Sequence, residues 1–208
     1  MNKRPSDDNR ALIEAAILKR SGKGLLLDST TGSEIKNLHQ PSSYCDDDDD
    51  DGDTFNIINN TNDEGFEYLD HTADVQLHSW GNDLSSCLGQ IIKCMFNYMT
   101  NINMIQIDND MSANVATNII AQAHDWKSLL FSFMDEWLFV FHDTGFIVKE
   151  IDIVHIDRER FTIRSNARGE KFDISKHTQG TEIKAITYSN MKIDERHDGC
   201  DIWVIVDI

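Results

Sequence analysis

The stretch Phe66-Glu-Tyr-Leu-Asp-His-Thr-Ala-Asp-Val-Gln-Leu-His-Ser-Trp80 marks the start of the folded domain in this chain. From Asp74 onward it alternates apolar and polar residues, which is typical of a half-buried β-strand. Four side chains able to carry charge or bind a metal ion fall within nine residues of this stretch: Asp70, His71, Asp74 and His78. The sequence therefore predicts a polar cluster on the turn that leads into a core strand.

The residues before this stretch, 1–65, are interpreted as a disordered acidic and Asn-rich extension, and 66–208 as one domain. The extension contains an unbroken acidic run, Asp46–Asp51, which repels itself and stays solvated. The segment Ala11–Arg20 predicts a short helix that is marginal unless it docks. The roughly 140 residues downstream can bury enough surface to form an independent core.

The charge of the chain disfavours one class of function. The formal net charge is −17, with 7 Lys+Arg against 14 Asp+Glu in the first 65 residues and 12 against 22 in the remainder. A net acidic surface opposes long-range attraction to phosphate backbones and suits a basic protein partner. We therefore expect no broad, direct binding to nucleic acid.

The distribution of apolar residues and cysteines predicts a compartment. No run of 18 apolar residues is present, and the N-terminus lacks the apolar core of a secretory signal, so we expect no membrane association and no secretion. Cys87 and Cys94 lie about 10 Å apart along a predicted helix, which is too far for a disulfide. Buried, reduced thiols in the cytoplasm or nucleus are the expectation.

Hydrophobic periodicity predicts two helices and six to eight strands, which is the α+β class. The first helix follows a cap at Asn82 or Asp83 and ends near Met99, and the second runs over about 126–142 after a cap at Asp125. After the opening strand, or strand pair, the predicted strands are 102–107, 114–121, 146–156, 161–165, 172–174, 181–188 and 201–208, with a loop at 108–111. Trp126, Trp137 and Trp203 are expected in the core.

Five segments of the domain resemble the archease family, in order and over the whole of residues 66–208. They are Tyr68–Gly81, Met95–Met99, Leu129–Leu138, Gln179–Tyr188 and Val206–Ile208. The resemblance implies strand-helix-strand-strand modules with mixed or antiparallel sheets and two main helices. It also implies a non-enzymatic cofactor of an RtcB-type RNA ligase, which speeds GTP-dependent guanylylation of the ligase and supports multiple turnover. The implied processes are tRNA splicing and the mRNA splicing of the unfolded-protein response.

The resemblance also implies site residues. It places a metal site on Asp74, Asp207 and Ile208, the last through main-chain or terminal carboxylate oxygens, and it implies a functional role for Lys184. Because these ligands are all oxygens, Ca²⁺ or Mg²⁺ is expected rather than Zn²⁺.

Other polar residues of the opening stretch leave alternatives open. Asp70 and His71 are candidates for partner contacts, and His71 is either a metal ligand or a hydrogen-bonded structural histidine. His78 is expected to be a surface or structural residue. Trp80 is expected in the core, although it is also the aromatic residue best placed to reach a partner.

The residues themselves support the metal site only in combination. Alone, Asp74 is typical of a turn and Asp207 of a solvated terminus. If the last strand lies beside the first, two carboxylates and the C-terminus converge, and such like charges need a cation or a shared proton. In a regular strand Lys184 shares a face with Ile186, so we expect a partly buried ammonium near the acids.

Two other functions stay open from the sequence. A carboxylate-bound cation could activate water in a stand-alone metal-dependent phosphoester hydrolase. A metal-independent chaperone or scaffold would act through its surface alone.

The segment His177–Gly180 departs from the family pattern because Thr178 stands where proline is usual, and this predicts a looser turn.

Overall fold

Two antiparallel sheets and two long helices make up the described part of the chain, which is residues 64–71, 74–107 and 115–208 of the computed structural model. The elements are β1 (Gly65–His71), β2 (Asp74–Gly81), α1 (Leu84–Met99), β3 (Val115–Gln122), α2 (Trp126–Thr144), β4 (Phe146–Asp157), β5 (Thr162–Lys171), β6 (Ala185–Ile186), β7 (Lys192–Arg196) and β8 (Gly199–Asp207). The predicted α+β class is confirmed. The predicted extension up to residue 63 and the predicted loop at 108–111 lie outside the described residues.

The C-terminal strand β8 lies in the middle of the larger sheet. It pairs with β2 on one side and with both β6 and β7 on the other, while β1 forms the edge beyond β2. The smaller sheet has the order β3-β5-β4. Helix α1 packs on β2 and β8 and also contacts β4, and α2 packs on the smaller sheet and on β6 and β7. No helix in these described segments is long and apolar enough to span a membrane.

Both helices begin at a predicted aspartate cap. The Asp83 carboxylate accepts the Ser86 N–H at 2.7 Å, and the Ser86 hydroxyl oxygen accepts the Asp83 N–H at 3.1 Å. Asp125 and Ser128 form the same reciprocal pair at the start of α2. Such a capping box satisfies amide donors that the first helical turn leaves unpaired. Helix α2 ends at Gly145, whose φ of 73° lies in the left-handed region that favours glycine.

The core forms where α1 meets the larger sheet and α2 meets the smaller one. The predicted stripe on α1 is buried: Leu84, Cys87, Leu88, Ile91, Ile92, Met95, Phe96 and Met99. Trp137 is fully buried as predicted, and its indole N–H donates to the Ser165 hydroxyl at 3.2 Å. Trp126 is half-buried against this core. The core prediction is wrong for Trp203, which lies on the opposite face of the larger sheet, where the partly buried Trp80 also lies.

Three cysteines of the described chain, Cys87, Cys94 and Cys200, are buried and free, as the sequence predicts. A hydrogen bond with Cys200, together with burial, raises the pKa of the Cys87 thiol. Burial also raises the pKa of Cys94. Because the thiolate is the reactive form and a raised pKa disfavours it, Cys87 and Cys94 are unreactive core residues.

Local hydrogen bonds replace two of the predicted strands. Residues Ile102–Met104 form a 3₁₀ turn instead of a strand, and the Asn101 side chain caps it by accepting the Asn103 N–H at 3.0 Å. Residues 172–174 are not a strand because the Asp173 carboxylate accepts the Ser175 N–H at 2.9 Å and so turns the chain.

The strand predictions near the C-terminus need further correction. The strand predicted over 181–188 is reduced to β6, and β5 extends well beyond the predicted end at residue 165. Strand β7 is absent from the sequence prediction, and its short polar sequence explains why.

Hydrogen bonds join the segment before Lys184 to the end of α1. The Thr100 hydroxyl donates to the Thr178 carbonyl oxygen at 2.7 Å, and the Gly180 N–H donates to the Met99 carbonyl at 2.8 Å. A Cβ at position 180 would lie 2.9 Å from the Met99 carbonyl oxygen, so this close approach requires glycine. The looser turn predicted from the missing proline is wrong, because Thr178 also accepts the Asn101 N–H at its hydroxyl oxygen.

Candidate functional site

The ends of β2 and β8 meet at one end of the larger sheet. Their antiparallel register pairs Val75 with Val206, and one further step along both strands sets Asp74 opposite Asp207. The C-terminal residue, Ile208, follows directly. The sheet thus brings together residues more than 130 positions apart in the sequence.

Asp74 and Asp207 lie on the face of the sheet that points away from α1. Their neighbours Val75 and Val206 are buried, and successive side chains of a strand point to opposite faces. Directly opposite residues of antiparallel strands have Cβ atoms about 4.5–5.5 Å apart. The Asp74 side chain is 35% exposed and Asp207 is exposed, so both carboxylates are accessible from solvent.

Lys184 holds the chain terminus at this site. Its Nζ donates to the Ile208 main-chain oxygen at 2.8 Å, and its backbone N–H donates to the Asp207 carbonyl at 2.9 Å. The expectation of a partly buried ammonium is wrong, because residues 181–184 are not in regular strand geometry and the lysine is exposed. The ammonium nevertheless offsets part of the negative charge of the terminus and the two acids.

His71 and Asp70, at the end of β1, lie on opposite faces of the sheet. His71 is the cross-strand partner of Asp74, with its Nδ1 3.8 Å from Asp74 Oδ2. Asp70 is the partner of the buried Val75 and therefore lies on the other face. Of the two, only His71 is placed beside the paired acids.

The donor set at this sheet end fits a hard divalent cation. The Asp74 and Asp207 carboxylates and the main-chain oxygen of Ile208 offer the oxygen ligands that Ca²⁺ and Mg²⁺ prefer. In residues 64–71, 74–107 and 115–208, no group of three His, Cys, Asp or Glu side chains is arranged to hold a metal ion. A cation here would therefore need oxygen from Ile208 in addition to Asp74 and Asp207.

A second polar cluster lies further along the same face, and sequence reasoning missed it. His78 places Nδ1 2.7 Å from a Glu67 carboxylate oxygen and Nε2 2.9 Å from one of Asp201. Its ring stacks on Trp203 with centroids 4.6 Å apart, and Lys192 Nζ lies 4.7 Å from the Trp203 ring centroid. His78 is thus a structural residue, one of the roles expected for it. The outward strand positions are visible in the sequence, but their pairing across the four strands β1, β2, β8 and β7 is not.

The charge of Asp201 is expected to stabilise the fold. Partial burial acts to raise the pKa of the Asp201 carboxyl, but hydrogen bonds from His78 and Arg196 outweigh it and hold the pKa below its usual range. Because this pKa is lower in the folded state, the stabilisation is present above the unfolded-state pKa and is lost as pH falls through the folded-state pKa. We expect Asp201→Asn to lower the free energy of unfolding by about 1–3 kcal/mol at neutral pH.

Urea unfolding of wild type and Asp201→Asn as a function of pH tests this expectation. The difference between the two proteins should shrink as pH falls below about 4, near the unfolded-state pKa of aspartate. Asp198→Asn is the matched control, because the Asp198 side chain is 67% exposed and should contribute little. A difference that does not change with pH would contradict the role given to the Asp201 charge.

The fold and the site together define a class of protein: a small α+β domain with an acidic, oxygen-rich sheet end where β2 and β8 meet. Comparison with known proteins supports the fold and identifies the family. Residues 66–208 match the Archease protein family, and the chain belongs to that family.

Relatives from distant organisms match the same part of the chain. The archease-like protein of Dictyostelium discoideum is 50% identical over 145 residues, covering 70% of this chain and 94% of that protein. Protein archease of Danio rerio is 48% identical, with 69% and 85% covered, and that of Methanosarcina barkeri is 32% identical, with 69% and 95% covered. The fold is also similar to the solution structure of a Methanobacterium thermoautotrophicum protein, with a TM-score of 0.56 and 28% identity over 69% of this chain and 98% of that one.

Proposed function

We propose that this protein is a non-enzymatic cofactor of an RtcB-type RNA ligase that stimulates GTP-dependent guanylylation and multiple turnover of the ligase in tRNA splicing. The same partnership would serve the mRNA splicing of the unfolded-protein response. Membership of the archease family supports the proposal. The observation that carries it is the convergence of Asp74, Asp207 and the terminal Ile208 at one end of the larger sheet. Buried free thiols are consistent with action in the cytoplasm or nucleus.

The residues of the site have separate roles in this proposal. Asp74, Asp207 and the main-chain or terminal carboxylate oxygens of Ile208 would hold a divalent cation, Ca²⁺ or Mg²⁺, which when bound supplies positive charge for contact with phosphate oxygens. Lys184 restrains the terminus through its 2.8 Å hydrogen bond to Ile208. His71, beside Asp74, limits the directions in which that carboxylate can turn.

The acidic surface of the domain supports a protein partner at this site. Residues 66–208 carry 12 Lys+Arg against 22 Asp+Glu, and an excess of negative charge favours association with a basic surface. A nucleotide-binding site that receives GTP is such a surface. We therefore infer that the acidic sheet end faces the nucleotide site of the ligase.

A multiple-turnover ligation assay with the cognate ligase tests the proposal. The RNA substrate has 2′,3′-cyclic phosphate and 5′-hydroxyl ends and is in excess over the ligase, and ligation is followed with and without this protein. We expect repeated turnover only when the protein is present, and loss of stimulation when Asp207 and Ile208 are deleted. Phosphoester hydrolysis by the purified protein alone would instead indicate the stand-alone hydrolase. Stimulation that persists in chelator would indicate the metal-independent scaffold.

Lys184→Ala is expected to weaken stimulation about tenfold or more, because a charge-assisted hydrogen bond to the terminus is lost. Cation affinity measured by calorimetry should not fall, since the ammonium that competes for an Ile208 oxygen is removed. Lys192→Ala is the matched control, because Lys192 is likewise an exposed lysine but lies in β7 and has no contact with Ile208, and it should stimulate like wild type. Equal losses in both variants would show that general charge, and not the contact with the terminus, determines the effect.

A further inference from the structure

An aromatic pair, the exposed Tyr188 and the half-buried Phe131, lies just beyond β6 at the edge of the larger sheet. Tyr188 is 55% exposed, which makes it the most exposed aromatic side chain among residues 64–71, 74–107 and 115–208. Its ring stacks on Phe131 of α2, with centroids 4.5 Å apart and planes only 2° apart. One face of the tyrosine ring therefore rests on the helix, and its opposite face is left for solvent or a partner.

The backbone around Tyr188 is also fixed. The preceding residue, Thr187, donates both its N–H and its hydroxyl to the Ile205 carbonyl of β8, at 3.1 and 2.8 Å. The Tyr188 carbonyl accepts the Met191 N–H at 3.4 Å and so closes a tight turn into β7. An aromatic ring held in this way loses little conformational freedom on binding, which is a property of strong interface anchors.

The segment that carries Tyr188 begins at Ile183 and Lys184, next to the acidic sheet end. The segment 183–188 runs alongside α2, because His142 donates from Nε2 to the Ile183 carbonyl at 3.2 Å while Phe131, three turns earlier in the helix, meets Tyr188. Tyr188 is four residues beyond Lys184, or about 13 Å along an extended chain. A protein partner that covers both the acidic sheet end and the adjoining β6 edge of the larger sheet would also reach the tyrosine.

The negative charge of the domain favours a cationic group as the ligand that stacks on the Tyr188 ring. The guanidinium of arginine is planar and weakly hydrated, and it packs favourably on aromatic faces. The net negative charge of the domain attracts such a cation. A nucleobase could also stack on tyrosine, but the phosphates attached to it would be repelled by the same field.

We propose that Tyr188, supported by Phe131, is an anchor that receives an arginine side chain of a basic protein partner. The inference rests on the proposed function for the identity of that partner, the RNA ligase. It assigns Tyr188 to binding, whereas the acidic sheet end acts in stimulation.

Titration of the ligase with variants of this protein separates these two roles. Tyr188→Ala should raise the concentration for half-maximal stimulation about tenfold or more, and it should leave the maximal stimulation unchanged at saturation. Tyr188→Phe should bind like wild type because the aromatic face is kept, whereas Tyr188→Leu should remain weak because an apolar side chain without a ring does not attract a cation. Ile174→Ala is the matched surface control, at a side chain that is 73% exposed.

The results that would overturn the role of Tyr188 differ from those that would overturn the proposed function. An unchanged half-maximal concentration for Tyr188→Ala, or full recovery by Tyr188→Leu, would overturn the proposal, as would a loss of binding to the RNA alone instead of to the ligase. If wild type binds the ligase without stimulating it, the proposed function fails, and calorimetric binding of the same variants still decides the role of Tyr188. If wild type does not bind the ligase, both proposals fail.

Discussion

Replacing Asp74 with alanine is expected to reduce multiple-turnover stimulation to the level of the ligase alone, while the fold stays intact. Asp74 is the first residue of β2 and its side chain is 35% exposed, so the hydrophobic core does not depend on it. Its loss leaves one side-chain carboxylate and the terminus, which is too few anionic oxygens to hold a hard cation firmly. Cation affinity should fall by more than the roughly 10–100-fold that follows loss of a residue that only orients a ligand.

Asp70→Ala is the control that tests whether the effect belongs to the paired carboxylates Asp74 and Asp207 or to any acid of the opening stretch. Both acids belong to the same short stretch, Asp70 on β1 and Asp74 on β2, but Asp70 pairs with Val75 and lies on the opposite face of the sheet. We expect Asp70→Ala to retain stimulation and cation binding, measured by the ligation assay and by calorimetry. Equal losses in the two variants, with unchanged unfolding midpoints, would contradict the role given to the paired carboxylates.

The contrast between Asp70 and Asp74 shows what the sequence could predict about this site. The alternation after Asp74 predicts the strand, and the terminal apolar run predicts β8. The pairing of β2 with β8, by contrast, is a contact across more than 130 positions. Local pattern has no information about such register, so without the family resemblance Asp74 and Asp207 would remain a turn former and a solvated terminus.

The helices and strands were also predictable only where local interactions determine them. The helices could be predicted because periodicity and the caps Asp83 and Asp125 act within a few residues. Two strand predictions failed where side chains bond to their own backbone, at Asn101 and Asp173. The missed cluster around His78 required knowledge of four paired strands at once.

Gly169→Ala is expected to be the most destabilising glycine-to-alanine substitution among residues 64–71, 74–107 and 115–208. Gly169 of β5 pairs with Val148 of β4, and a Cβ at this position would lie 1.7 Å from the Ile147 carbonyl oxygen. Ile147 and Val148 are fully buried, so β4 cannot move aside without opening the core. We expect the free energy of unfolding to fall by about 3 kcal/mol or more, at or above the upper end of overpacking effects.

Gly89→Ala adds the same methyl group with the opposite expected sign. A Cβ at position 89 of α1 would meet only Ile151 Cγ2, at 3.6 Å, which is an ordinary contact. Alanine in a helix interior should therefore stabilise the protein by about 0.5–1 kcal/mol. Urea unfolding followed by circular dichroism and by tryptophan fluorescence, to which the buried Trp137 contributes, measures both effects. An unchanged midpoint for Gly169→Ala would mean that β4 and β5 can separate at the irregular pairing beside Val148 without disturbing the core. Because Gly169 lies in the smaller sheet and the acids lie in the larger one, Gly169→Ala protein kept well below its unfolding midpoint should still stimulate the ligase, whereas Asp74→Ala should not.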